Sequence, residues 1–207
     1  SAADLAQVTT LTSELEQRLS AIAQQYPSSK FASSLALEDM VITDVIARLA
    51  LPIEVFTLDT GKLNAETLAL LPALAERYPD LNITVYQPQA SAAQAFEQQY
   101  GAGAMYESVE LRRQCCHIRK IEPLNRALEG AQAWLSGQRR EQSATRTELA
   151  YQELDSARQI PKFNPLYDWT EAAIWAYAQK HQLLINALYE QGYPSIGCEP
   201  CTRPIKL

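Results

Sequence analysis

The four cysteines of this 207-residue chain come as two pairs. Cys115 and Cys116 are directly adjacent, whereas Cys198 and Cys201 enclose two other residues. Four thiolates can hold Zn²⁺ or an iron–sulfur cluster. Basic residues stand beside both pairs, which suggests that an anion is handled next to the metal. We therefore expect the four cysteines to meet in one metal centre.

Two other fates of the cysteines are weighed against a cluster. Two disulfides would suit a secreted protein, but residues 1–4 do not show the basic stretch followed by an apolar stretch that is typical of a signal peptide. A chain of this length can also bury a core without disulfides. A structural zinc site usually takes two C-x₂-C knuckles, and here an adjacent pair replaces one of them. Adjacent thiols reach two irons of a cuboidal cluster more easily than two corners of a tetrahedron around one ion. This geometry favours [4Fe–4S], with zinc as the alternative.

The charge pattern points to a small anionic ligand. The net charge is −6, so we expect no general binding of nucleic acid. The sequence holds no apolar run near the roughly 18 residues of a membrane span, so we expect no membrane partner. Nine of the 18 basic residues nevertheless lie in or near three short motifs. They are Arg112, Arg113, Arg119, Lys120, Arg139, Arg140, Arg146, Arg203 and Lys206.

Composition and periodicity predict a single cytoplasmic α/β domain over residues 1–207. Hydrophobic residues make up 47% of the chain and charged residues 20%, as in ordinary globular proteins. Helix-type and strand-type segments alternate, which predicts a parallel sheet with flanking helices. Predicted helices cover 4–25, 38–50, 64–78, 91–100 and 117–129, and a capping box at Asp168 opens another to about residue 180. Predicted strands cover 30–35, 53–58, 82–86 and 132–136, and a polar loop follows residue 136. Pro72 conflicts with the predicted helix over 64–78, because proline disfavours a helix interior.

Ligands of such sheets bind at the carboxyl ends of the strands, where three loops carry polar residues. The first loop is either a phosphate-binding loop or an ordinary turn in which Ser34 is the N-cap of the following helix. The second follows a strand directly and is either a purine-reading loop or a tight turn. Two arginines in the third suit phosphate or sulfate, unless they are solvated. The loops cover 33–39, 58–61 and 137–143.

Taken together, these motifs resemble the assimilatory adenylyl-sulfate (APS) reductases of the phosphoadenylyl-sulfate reductase family. The resemblance spans about residues 30–205 and consists of five motifs in the family's order. They are Cys-Cys-His-Ile-Arg-Lys-Ile-Glu-Pro-Leu at 115–124, Leu-Asp-Thr-Gly at 58–61, Gly-Gln-Arg-Arg at 137–140, Phe-Asn-Pro-Leu at 163–166 and Gly-Tyr-Pro-Ser-Ile-Gly-Cys-Glu-Pro-Cys-Thr-Arg at 192–203. The family implies an adenine-nucleotide hydrolase-like, Rossmann-like fold, a [4Fe–4S] cluster on Cys115, Cys116, Cys198 and Cys201, and reduction of APS to sulfite and AMP.

The resemblance and the loop positions together give the expected substrate site. Because sulfate, phosphate and an attacking thiolate are all negative, the site needs fixed cations. Lys120 lies four residues after Cys116, one helical turn, and so can face cluster and substrate together. We expect the cluster to act through its charge and structure rather than as the electron donor. The predicted substrate-binding residues are Ser33, Ser34, Glu38, Asp39, Leu58, Asp59, Thr60, Gly61, Lys120, Gly137, Arg139, Arg140, Arg146 and Arg203.

The catalytic nucleophile is the one part of the family pattern that these residues lack. Members carry a further cysteine in a Glu-Cys-Gly-Leu/Ile-His motif, whose thiolate forms an S-sulfocysteine that thioredoxin or a similar dithiol then cleaves. This sequence ends at Leu207 without the motif, so we expect the nucleophile beyond it, lost by truncation or in a disordered tail. We also expect a homo-oligomer. The alternatives are a reductase of the 3′-phosphorylated substrate (PAPS) and a non-catalytic nucleotide-binding iron–sulfur protein.

Overall fold

A computed structural model describes residues 2–142 and 148–193 of the chain. Helices and strands alternate through most of it, as the periodicity predicts. The helices are α1 (Ala2–Gln25), α2 (Leu37–Arg48), α3 (Ala65–Arg77), α4 (Ala90–Tyr100), α5 (Val109–Cys116), α6 (Glu122–Ala127) and α7 (Glu171–Lys180). The strands are β1 (Ser29–Ser33), β2 (Glu54–Leu58), β3 (Ile83–Tyr86), β4 (Ala133–Leu135), β5 (Gln152–Asp155) and β6 (Ile160–Phe163).

One six-stranded sheet in the order β3-β2-β1-β4-β6-β5 organises the described residues. All neighbouring strands are parallel except β5, which pairs antiparallel with β6. In the register of the central strand, Phe31 lies opposite Val55 on one side and Leu135 on the other. These three side chains are fully buried, as expected for parallel strands that helices cover on both faces.

Helices α1, α2, α3 and α7 contribute to the main core with the sheet. Leu15 and Leu19 of α1 are fully buried, because their spacing of four places them on one face of the helix. Tyr177 of α7 is buried in the same cluster. Phe56 of β2 packs with Ala127 and neighbouring residues in a separate cluster, so α6 covers another part of the sheet. None of the described helices is long and apolar enough to cross a membrane.

The predicted parallel sheet is confirmed, but two elements differ from the prediction. The predicted polar loop after residue 136 is wrong, because it contains the β5–β6 hairpin. Polar side chains and partial exposure at alternate positions of β5 hide its strand character. The helix predicted over 117–129 in fact begins at Val109, in a polar stretch with a weak apolar pattern. A π-helical segment, His117–Ile121, joins α5 to α6.

Local chemistry explains the smaller differences. The N-cap of α7 is Thr170 rather than Asp168: the Thr170 side chain accepts from the Ala173 N–H at 3.1 Å. Asp168 instead pairs with Arg18 at 2.9 Å. Pro72 lies at an exposed position inside α3, and the helix continues through it to Arg77, so the predicted conflict does not split the element.

Candidate nucleotide and metal site

The chain reverses its direction of travel across the sheet between β1 and β4. After β1 it moves outward through β2 and β3, then returns to place β4 on the other side of β1. In open parallel sheets such a switch leaves a crevice outside the carboxyl ends of the two strands. Two of the predicted ligand loops, 33–39 and 137–143, begin at this position. The third loop, 58–61, follows the neighbouring strand β2.

The loop after β1 turns without glycine. Leu35 adopts a left-handed backbone with φ of 62°, although it is almost fully buried. Leucine rarely adopts this conformation, so the surrounding packing must impose it. The Leu35 N–H donates to the Ser33 side chain at 3.1 Å, which stabilises the turn. Ala36 is the extended residue before α2, so the alternative of Ser34 as N-cap is wrong.

Asp39 is a buried carboxyl in the first turn of α2. Its Oδ2 accepts from the Ser34 N–H at 2.6 Å and from the Ser34 hydroxyl at 2.7 Å. The pKa of Asp39 is raised to about 7, mainly because burial removes the carboxyl from water. The two Ser34 hydrogen bonds lower this pKa, and the nearby Glu38 charge raises it. The predicted substrate loop therefore holds one carboxyl that is largely withdrawn from solvent and bound to its own loop.

Gly137 brings the loop after β4 against the start of α2. A Cβ at this position would lie 1.9 Å from Asp39 Oδ1 and 3.4 Å from Glu38 Cβ. Atoms without a covalent bond do not approach this closely, so any side chain here would force the two loops apart. The two halves of the switch-point crevice therefore meet at Gly137, two residues after the end of β4.

The two predicted arginines of this loop have different surroundings. Arg139 is 5% exposed and its guanidinium contacts Glu38 at 2.9 Å and the Trp169 carbonyl at 3.3 Å. The positive charge of Arg139 thus compensates the negative charge of Glu38 at the side of the crevice. Arg140 is exposed; it donates to the Leu149 carbonyl at 2.7 Å and lies over the Tyr167 ring. Of the pair, Arg140 is the one that solvent and a ligand can reach.

The loop after β2 is fastened by its own side chains and by one buried arginine. Asp59 accepts from the Gly61 N–H at 3.0 Å, a tight-turn contact that Gly61 permits with φ of 73°. Arg119 donates to the Thr60 carbonyl at 2.7 Å. Its Nη1 would lie 3.0 Å from a Cβ at Gly61. The motif is thus a tight turn that packs directly on the segment after the first cysteine pair.

Cys115 and Cys116 lie at the end of α5, beside this turn. Cys115 is buried, Cys116 is half-buried and both are free thiols. Burial raises the pKa of the Cys115 thiol, while the positive charge and hydrogen bond of Arg119 lower it, as does the charge of Lys62. Adjacent thiols with cations beside them fit half of a four-thiolate set, since iron takes cysteine as thiolate.

The other half of the predicted metal centre falls outside the described part of the chain. Cys198, Cys201, Arg146 and Arg203 all lie there, so these four predictions stay predictions. Within residues 2–142 and 148–193, no group of three or more His, Cys, Asp or Glu side chains could hold a metal ion. Lys120 is half-buried in the π-helical segment, next to Arg119.

Three residues that connect the cysteines to the β2 loop are absent from the predicted site. Arg119 is 8% exposed and pairs with Glu97 at 2.8 Å; Lys62 approaches the same carboxylate at 3.4 Å. Arg119 carries a usable signal, because it lies four residues after Cys115 on one helical stretch. Glu97 and Lys62 carry none, since only the tertiary fold brings α4 and the β2 loop to the π-helical segment.

Comparison with known proteins identifies the family. The phosphoadenosine phosphosulfate reductase domain matches residues 29–204. The chain belongs to this family. A family member from Neisseria meningitidis serogroup B (strain ATCC BAA-335 / MC58), an adenosine 5′-phosphosulfate reductase, is 55% identical over 94% of this chain and 79% of its own length. A Burkholderia cepacia protein of the same name is 52% identical over 93% of this chain and 76% of its length.

Solved structures agree with this membership. A phosphoadenylyl-sulfate reductase from Candida auris, in a phosphate complex, superposes with a TM-score of 0.79 at 26% identity, over 91% of this chain and 90% of that one. The FMN adenylyltransferase of Candida glabrata reaches a TM-score of 0.66 at 15% identity, over 97% of this chain and 67% of the other. That second likeness shows the shared fold alone. The predicted adenine-nucleotide hydrolase-like fold and the predicted family are both confirmed.

The close approach of Gly137 to Asp39 is directly testable. Gly137→Ala should lower the free energy of unfolding by about 1–3 kcal/mol, because a methyl group cannot fit at 1.9 Å from Asp39 Oδ1 unless that side chain or one of the loops moves. Chemical denaturation measures the change. The matched control is Gly103→Ala, whose Cβ would meet nothing nearer than 3.9 Å and should shift stability by less than about 1 kcal/mol. Equal effects of the two substitutions would contradict the assigned packing.

Proposed function

We infer that this chain is an adenylyl-sulfate reductase, which reduces APS to sulfite and AMP in sulfate assimilation. The observation that carries this inference is the 55% identity to a protein named for that activity, over 94% of the chain. The crevice at the switch point supports it, because phosphate loops of nucleotide-binding α/β folds occupy this place.

We propose that the three loops bind the two ends of the substrate. Residues 33–39 and 137–140 hold the phosphate and sulfate, and the turn at 58–61 borders the nucleoside. The carboxylates in the first loop would repel an anion, but Glu38 is paired with Arg139 and Asp39 is bound by Ser34. Because both acids already have partners, most of this repulsion is removed. Arg140 and Lys120 then supply positive charge toward the ligand, together with Arg146 and Arg203.

A [4Fe–4S] cluster on Cys115, Cys116, Cys198 and Cys201 belongs to the same proposal. When bound, it supplies charge close to the substrate and joins distant parts of the chain. Arg119 compensates the negative charge of the Cys115 thiolate and holds the Thr60 carbonyl, so one side chain orients both the cysteine segment and the β2 turn. We propose that Lys120, the next residue, reaches the sulfate from that segment.

The chemistry of reduction then needs a thiol from outside the site described so far. We propose that a thiolate in the family's Glu-Cys-Gly motif attacks the sulfate sulfur and breaks its bond to the bridging oxygen, which leaves with AMP. A dithiol such as thioredoxin then attacks the resulting S-sulfocysteine, releases sulfite and is oxidised to the disulfide. The dithiol thus supplies both electrons. We also propose that the protein is a homo-oligomer and that it acts in the cytoplasm, where thioredoxin is kept reduced.

Ligand binding tests the proposed substrate. Isothermal titration calorimetry should show that AMP competes with APS and that APS binds more tightly than PAPS. Arg140→Ala should weaken APS by roughly 1.5–3 kcal/mol, the contribution of a charge-assisted hydrogen bond. Arg77→Ala is the control, since Arg77 ends α3 and donates to the His181 carbonyl instead. A preference for PAPS would favour the PAPS reductase reading, and absence of nucleotide binding would overturn both.

Metal analysis tests the cluster. Protein purified without oxygen should be brown and hold about four irons and four inorganic sulfides per chain. Cys115→Ser should abolish this content, because the hydroxyl is a poor iron ligand, and circular dichroism should show whether the fold survives. Colourless protein with one zinc per chain would contradict the cluster and support the structural zinc site.

A further inference from the structure

A short turn near the end of the described chain is fixed by hydrogen bonds to two helices. The turn is the 3₁₀ segment Ala187–Tyr189, which Asn186 precedes. Asn186 is 1% exposed; its amide donates to the Thr67 hydroxyl of α3 at 2.8 Å, and its Oδ1 accepts from the Leu188 N–H at 3.0 Å. A buried amide with both ends satisfied gives the turn one defined position.

The second anchor of this turn reaches the phosphate loop. The Tyr189 hydroxyl accepts a hydrogen bond from the Leu37 N–H at 3.0 Å. Leu37 is the first residue of α2 and is itself buried. The Tyr189 ring also packs edge to face against Trp175 of α7, with ring centroids 5.8 Å apart. Because the ring is packed and the turn is fixed, the position of the hydroxyl is set from outside the loop.

The hydroxyl satisfies one of the N–H groups that every helix leaves without an intrahelical partner in its first turn. The N–H groups of Glu38 and Asp39 follow it in that turn, and their directions depend on where Leu37 is held. Burial raises the pKa of Tyr189, and the Glu38 and Asp39 carboxylates raise it further. The hydrogen bond from the Leu37 N–H and the charge of Arg139 lower the pKa, but burial dominates. The residue therefore stays neutral and adds no negative charge beside an anion.

We propose that Tyr189 is a positioning residue for the substrate phosphate: through the Leu37 N–H it fixes the start of α2, and with it the phosphate loop. This inference rests on the proposed function, since it concerns the loop that would hold APS. The same contact ties the loop to the segment that continues toward Cys198 and Cys201.

The test compares two ligands that differ only in the phosphate. AMP and adenosine are titrated into the 207-residue chain and into Tyr189→Phe, which keeps the ring and removes the hydroxyl. The AMP affinity should fall about three- to tenfold, the effect of one neutral hydrogen bond, while adenosine affinity stays the same. The control is Tyr78→Phe, which also removes a tyrosine hydroxyl, one that donates to Asp44 at 2.8 Å rather than to the start of α2. It should lower the melting temperature without changing the ratio of AMP to adenosine affinity.

Each other outcome overturns the inference in a recognisable way. Unchanged AMP binding by Tyr189→Phe would show that Leu37 needs no fixed acceptor. Equal losses for AMP and adenosine, or the same change of ratio in Tyr78→Phe, would reduce Tyr189 to an anchor of the fold. If the unchanged chain bound neither ligand, the proposed function would fail and this inference with it. If the unchanged chain bound both ligands, the results for Tyr189→Phe would decide the inference alone.

Discussion

Contact between the loop after β4 and the first turn of α2 is the constraint on which the candidate site depends. Gly137 lies against Asp39 so closely that no side chain fits between them, and Arg139 pairs with Glu38 across the same boundary. The ion pair is almost fully buried, so removal of either partner would leave a charge without compensation. These contacts bring the two loops of the switch point together and also withdraw two carboxyl groups from the place where an anion is proposed to bind.

A second connection joins this crevice to the first cysteine pair. Arg119 contacts the Thr60 carbonyl and Glu97, and its charge acts on the Cys115 thiol. The β2 turn, α4 and the π-helical segment therefore share one buried guanidinium. Any change in the charge of the cysteine segment, such as binding of a cluster, would act on the β2 turn through this side chain. Arg119 thus holds the cysteine pair beside the β2 turn.

Sequence reasoning predicted the elements that have strong periodicity. The buried strands β1, β2 and β4 and the amphipathic α1 lie close to their predicted ranges, because runs of apolar residues at period two or at three and four are distinctive. The β5–β6 hairpin and α5 were missed, since polar side chains at half-exposed positions give neither pattern. The N-cap of α7 was misplaced by two residues, because Asp168 and Thr170 are equally good caps in sequence and only the Arg18 contact decides between them.

The candidate site was partly visible in the sequence. The three loops were predicted from their places after strands, but the pairing of Arg139 with Glu38 was not, since these residues are separated by a hundred positions. Tyr189 and Glu97 carry no local signal at all, because their partners come from distant segments. Sequence therefore locates the loops at the right end of the sheet, whereas the hydrogen bonds that orient them follow from tertiary packing.

We propose that the carboxyl ends of β1, β2 and β4 form one nucleotide site beside the first cysteine pair. Amide chemical shifts recorded during an AMP titration test it most directly. The account predicts large shifts confined to residues 34–39, 58–62, 119–120 and 137–140, with none at Ala50 or Gly130, which lie at the opposite ends of the strands. Shifts centred on those two distant residues, or spread evenly over the sheet, would contradict it.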